Sequence, residues 1–202
     1  MKYSERDRAV LASAIKTYHE KTCVRFEPKN TSDYNFIYIY PGNGCASQVG
    51  RGGGMQFVSL GVGCVYTGIA QHELMHVVGF WHEQSRADRD DYIRILWENI
   101  EPGMEYNFDK YTWDEIQNLD APYDYASVMH YGTHAFAKGF GPTIVPKDTS
   151  SSIIGQRNGL SDMDIEKINR LYGCPQTTKK SYSTRFISHS DSLKESNIIS
   201  DK

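Results

Sequence analysis

Between residues 5 and 20 the apolar positions Val10, Leu11, Ala14, Ile15 and Tyr18 recur every three or four residues. That period predicts a helix with one stripe turned inward. Residues 34–40 break it: Asn35 is the only polar side chain, so the segment reads as a largely buried strand closed by the turn Pro41-Gly42-Asn43-Gly44. A Gly-rich turn at 50–54 precedes a second strand, 55–60, expected to be the sheet partner of the first. Residues 69–81 predict a second helix. Across 88–160 Asp, Asn, Gly, Pro and Tyr interrupt short apolar pieces, Ile93-Arg94-Ile95 the clearest, so mostly irregular structure is expected there. Ser161 with Asp164 has the form of a capping box, and Ile165, Ile168, Leu171 and Tyr172 line one face of a closing helix. Gly173-Cys174-Pro175 ends it, and beyond lies an aperiodic run of Ser, Thr, Lys and Asn. The expected organisation is a folded domain over 1–175 and a disordered tail over 176–202.

Composition narrows the class. At 39% hydrophobic and 23% charged, the 202 residues can pack a core. The net charge of −3 offers no general basic field for nucleic acid or anionic lipid. No apolar run approaches the roughly 20 residues of a membrane span. Neither a nucleic-acid partner nor a span is expected, and nothing in the sequence reports an oligomeric state.

The candidate chemistry is concentrated in His72-Glu73-Leu74-Met75-His76-Val77-Val78-Gly79-Phe80-Trp81-His82. Two histidines four apart share one helical face, so both imidazoles can reach one ion. Glu73 lies beside them, placed to contact a water without ligating the metal. Gly79 accepts the positive φ of a helix end and lets the chain swing His82 to the same point. Three neutral nitrogen ligands favour zinc over calcium or magnesium, and leave a fourth position open as catalytic sites do. Chance supplies His-Glu-x-x-His in roughly one chain of this length in a hundred, and the longer pattern in roughly one in tens of thousands.

The extended pattern is the metzincin signature, and Glu83 directly after the third histidine resembles the astacin family within that clan. Ser127-Val128-Met129-His130-Tyr131, with Met129 46 residues after Glu83, is similar to that family's Met-turn. The likeness covers about residues 8–174 and is strongest toward the hatching-enzyme branch. It implies an α+β, two-lobed zincin fold. The N-terminal lobe would be a twisted sheet of about four strands backed by two helices, and the C-terminal lobe irregular up to the last helix. It implies one zinc ion held by His72, His76 and His82, Glu73 as general base and then general acid, and Tyr131 as a detachable fifth ligand that stabilises the oxyanion. Met129 would floor the site. The implied activity is a zinc metalloendopeptidase with polypeptide substrates; the alternative is a non-catalytic extracellular binding protein that keeps fold and zinc. Substrate is expected to pair with an edge strand at 55–60.

Four cysteines allow three pairings and lack the CxxC spacing of a structural zinc site. The resemblance implies Cys45 with Cys64 and Cys23 with Cys174, hence an oxidising compartment and a secreted protein. It also implies a signal peptide, a propeptide and a first strand ahead of Tyr3, and none is seen, so a missing front end is expected. Glu83, whose family counterpart pairs with the amino terminus, would then be a buried carboxylate without its partner. His130 is expected to be structural, His19 and His189 solvated, His134 a candidate for the cleft. Lys138 and Lys147 are unassigned candidates for a basic substrate pocket.

Overall fold

A computed structural model describes residues 2–148 and 153–175. The expected tail and His189 lie outside the described residues. Helix α1 (Glu5–Lys21) opens with a capping box: Asp7 N–H donates to Ser4 Oγ at 3.2 Å, and Ser4 N–H donates to the Asp7 carboxylate at 3.1 Å. Its buried stripe, Ala14 and Tyr18, falls on the predicted positions.

Strands β1 (Phe36–Tyr40), β2 (Cys45–Ser47) and β3 (Met55–Leu60) form a mixed sheet in the order β1-β3-β2. β1 runs parallel to β3, with Tyr38 opposite Phe57, and β2 runs antiparallel, with Ala46 opposite Ser59. Two expectations are corrected here. The sheet has three strands among the described residues rather than four. Residues 55–60 are central, so the free edges belong to β1 and to the short β2. One face of β3 is covered through Gln56, Val58 and Leu60, whereas Met55 and Phe57 on the other face are exposed.

Helix α2 (Thr67–Val77) packs against both the sheet and α1, and the buried Tyr18 hydroxyl donates to the Gln71 carbonyl at 2.7 Å. Two disulfides frame this lobe, as the resemblance implied. Cys45–Cys64 ties β2 to the approach of α2, and Cys23–Cys174 ties the end of α1 to the end of the fold across 151 residues of sequence. A loop that long costs the unfolded chain roughly 4–5 kcal/mol in closure entropy.

The second lobe is irregular, as expected. Short 3-10 turns at Glu83–Ser85, Arg89–Asp91, Trp97–Asn99 and Glu105–Phe108 alternate with the two-stranded pair β4 (Ile93–Ile95) and β5 (Ile144–Pro146). Ile93, Ile95, Ile100, Phe108 and Ile144 form its core. Helix α3 (Asp162–Leu171) closes the fold, with the Ser161 and Asp164 capping box in place. Its inward face differs from the apolar stripe: Asp164, Lys167 and Ile168 are buried, whereas Tyr172 is half exposed. The architecture is α+β in two lobes, and none of the described helices is long and apolar enough to cross a membrane.

Candidate active site

The site is built from the end of α2. That helix is buried on nearly every side from Ala70 to His76, so its ionisable groups sit in a low-dielectric setting. It ends four residues earlier than the apolar pattern suggested, in a Schellman motif: Phe80 N–H donates to Met75 O at 3.1 Å and Gly79 N–H to His76 O at 2.9 Å. Gly79 sits at φ +105°, a conformation that a β-carbon disfavours. The same reversal aims the Phe80 carbonyl at His76, whose Nδ1–H donates to it at 2.8 Å. His72 Nδ1–H donates to Val128 O, also at 2.8 Å. Carbonyl oxygens only accept, so both rings carry their proton on Nδ1 and present a bare Nε2.

Those bare nitrogens converge. His82 Nε2 stands 3.2 Å from His76 Nε2 and 3.3 Å from His72 Nε2. Four ligands held tetrahedrally at about 2.0–2.1 Å from zinc stand about 3.3 Å from one another, so the spacing fits that ion. The three are the only group of three or more His, Cys, Asp or Glu among the described residues that could hold a metal. Burial pushes all three imidazoles below their ordinary range, His72 to about 3, so each is neutral and ligand-ready at neutral pH.

Glu73 is buried, and among the described residues nothing donates a hydrogen bond to its carboxylate. Burial pushes it up to about 7, with Arg157 pulling the other way. Tyr131 lies on the far side, its ring centroid 4.5 Å from that of His82, with burial pushing its phenol up to about 12. The turn that carries it is held from several directions. Met129 is buried against Leu74 and Met75, Tyr131 N–H donates to Gln84 Oε1 at 3.1 Å, and the buried His130 meets the Tyr123 hydroxyl at 2.7 Å. Asp164 of α3 accepts from Ser127 Oγ at 2.6 Å and Val128 N–H at 2.9 Å.

The structure thus brings together His72, Glu73, His76, His82 and Tyr131, and uses Met129 and His130 as support. It also corrects the account of Glu83. That side chain is buried but not without a partner: Lys167 Nζ lies 2.7 Å from both its oxygens, Arg86 is 3.7 Å away, and Asp124 N–H donates at 2.8 Å. Burial raises its pKa while Lys167 and Arg86 oppose the rise. His19, expected in solvent, accepts from Phe26 N–H at 2.8 Å. His134 and Lys138 are exposed, and Lys147 reaches Asp90 O at 2.5 Å, so none of the three joins the cluster.

Sequence reasoning missed Arg157. Its guanidinium donates to His130 O and Gln156 O at 3.1 and 2.8 Å, and its charge acts on Glu73, Tyr131 and all three histidines. The one signal was Gly68: a β-carbon on it would sit 1.8 Å from the Arg157 carbonyl oxygen, so only glycine lets the start of α2 meet this loop.

Comparison with known proteins agrees with the geometry. Zinc metalloproteinase nas-15 of Caenorhabditis elegans is 52% identical over 178 residues, 88% of this chain and 31% of that protein. High choriolytic enzyme 1 of Oryzias latipes is 48% identical over 174 residues, 85% of this chain and 63% of its own length. The solved structure of that hatching enzyme zinc-protease superposes with a TM-score of 0.80 at 47% identity, covering 86% of each chain. Myroilysin shares the fold, with a TM-score of 0.58 at 16% identity. The chain spans between 31% and 55% of the length of the first three curated relatives. With the sequence model of Astacin (Peptidase family M12A) matched over residues 1–173, the chain belongs to the astacin family.

Proposed function

We propose that residues 1–175 are the catalytic domain of a zinc-dependent endopeptidase acting on polypeptides outside the cell. The observation that carries this reading is the convergence of three neutral imidazoles, the Nε2 atoms of His76 and His72 3.2 and 3.3 Å from that of His82, beside the buried Glu73. His72, His76 and His82 would hold the ion, with Tyr131 as the detachable additional ligand. The ion supplies Lewis acidity, polarising the scissile carbonyl and acidifying water toward pKa about 7.

The protein's own groups do the rest. Glu73 takes a proton from the attacking water and delivers it to the leaving amine. Its raised affinity for protons suits it to both halves of that transfer. The Tyr131 phenol, protonated across the neutral range, donates to the developing oxyanion. Arg157 adds a fixed positive charge that favours the ionised form of Glu73. An extended substrate adds to the sheet through the backbone of β2, the free edge that packs against α2, since β3 is already paired on both sides. Two disulfides, which persist in oxidising compartments, support an extracellular setting. No observation favours the non-catalytic alternative.

The test is hydrolysis of a denatured protein by the zinc-loaded chain, with Glu73→Gln as control. Loss of general acid–base catalysis should cost roughly 10²–10⁴-fold in rate while zinc content stays near one per chain. Equal rates for both proteins, with zinc bound, would establish the binding-protein reading instead.

A further inference from the structure

His72 and His76 each donate their outer ring proton to a carbonyl at 2.8 Å. Among the described residues, His82 Nδ1 has no such partner. Metal-ligating histidines usually depend on that outer bond for their orientation. Something else must therefore fix His82, and the structure shows what holds the backbone on which it sits. The next residue, Glu83, is clamped on every polar atom. Its N–H donates to Met129 O at 3.1 Å, and its carboxylate takes Asp124 N–H at 2.8 Å. Lys167 Nζ bridges both carboxylate oxygens at 2.7 Å from across the lobe. The ion pair is 5% and 7% exposed, so it is shielded from the screening that weakens surface pairs.

We infer that Lys167 is a positioning residue for the metal site, acting through Glu83 to hold His82 in place. The inference rests on the metal-site reading proposed above. Lys167 comes from α3, one turn after Asp164, which holds Val128 and through it His72. One helix face thus braces two of the three ligands by separate routes: a carboxylate through Val128 to His72, and an ammonium through Glu83 to His82. Arg86, at 3.7 Å from Glu83, bonds in addition to Asp88 and to the carbonyls of Ala121 and Pro122. It is committed elsewhere and does not reach both oxygens, so it does not replace Lys167.

The experiment measures zinc affinity of the full chain by chelator competition, and the visible spectrum of the Co²⁺-substituted protein. Lys167→Met should weaken zinc roughly ten- to hundred-fold and alter the cobalt bands, while Lys167→Arg should recover most of the loss. Ile95→Val, in the core of the second lobe, should lower the melting temperature while leaving metal affinity and spectrum as in the wild type. If Lys167→Met fails to fold, the double variant Glu83→Gln with Lys167→Met removes both buried charges, and it too should bind zinc more weakly. A folded Lys167→Met or double variant with wild-type affinity and spectrum overturns the inference. So does an equal weakening in Ile95→Val, since the loss would then follow from general destabilisation. A wild-type chain that takes up neither ion overturns the metal-site reading and this inference with it.

Discussion

Helices α2 and α3 are of similar length, and each buries charged or ionisable side chains, but they do so in opposite ways. On α2, the His72 and His76 Nε2 atoms meet only that of His82, and the buried Glu73 carboxylate accepts no hydrogen bond from another described group. On α3, Asp164 and Lys167 are fully engaged, the first by Ser127, Val128 and Ser161, the second by Glu83. A buried group left open costs stability, and a fold keeps it only where something binds or reacts. A buried group that is satisfied rigidifies what it touches. On the proposed function, the contrast separates the residues that would perform the chemistry from those that would hold them still.

The sharpest way to break the contrast is on the open side. Removing the phenol with Tyr131→Phe should lower turnover roughly 10²–10³-fold, the effect of losing one oxyanion donor, with zinc content unchanged. Loss of the metal in that variant would mean that the tyrosine is support rather than chemistry. On the satisfied side, Asp164→Ala strands the Ser127 hydroxyl and the Val128 and Ser161 amides. We expect a loss of about 2–4 kcal/mol in denaturant unfolding, with weaker zinc binding. An effect under about 0.5 kcal/mol would show that α3 braces nothing.

A further test of the comparison is in the metal-free protein. His72, His76, His82 and His130 all have native pKa values depressed by burial below the unfolded value of 6.5. Below pH 6.5 the unfolded chain binds more protons than the native one. The histidine contribution is therefore complete above that pH and falls as pH drops toward the native values, about 3 for His72 and about 4 for His130, opposed in part by Glu73, whose native pKa of about 7 takes up a proton across the same range. Each such histidine contributes up to about 1.4 kcal/mol per pH unit across its window. Thermal melts of the metal-free chain from pH 7 to 5 should show the decline; a flat profile would place these rings in contact with solvent.

The α2 side of the site was legible in the sequence because its geometry is local. Four-residue spacing puts two imidazoles on one face, and Gly79 marks the reversal that brings in a third. The capping box at Ser161 and the bounds of β3 were readable for the same reason. What the sequence withheld depends on distant pairings. Residues 55–60 have the composition of any half-buried strand, and nothing local says whether such a strand is central or at an edge. Asp164 and Lys167 look like solvated charges on an amphipathic helix until Ser127 and Glu83 are brought beside them. Arg157 sits in an irregular stretch with no period to betray it, and it reaches the site only because Gly68 lets the chain approach so closely.

The claim on which all of this turns is that three imidazoles converge on one zinc ion. X-ray absorption at the zinc edge of the loaded protein tests it directly. One zinc per chain is expected, with three histidine nitrogens at about 2.0–2.1 Å and the remaining position filled by oxygen. His82→Ala should lower the nitrogen count to two. A spectrum dominated by sulfur or by oxygen alone, or a His82→Ala spectrum identical to that of the wild type, would contradict it.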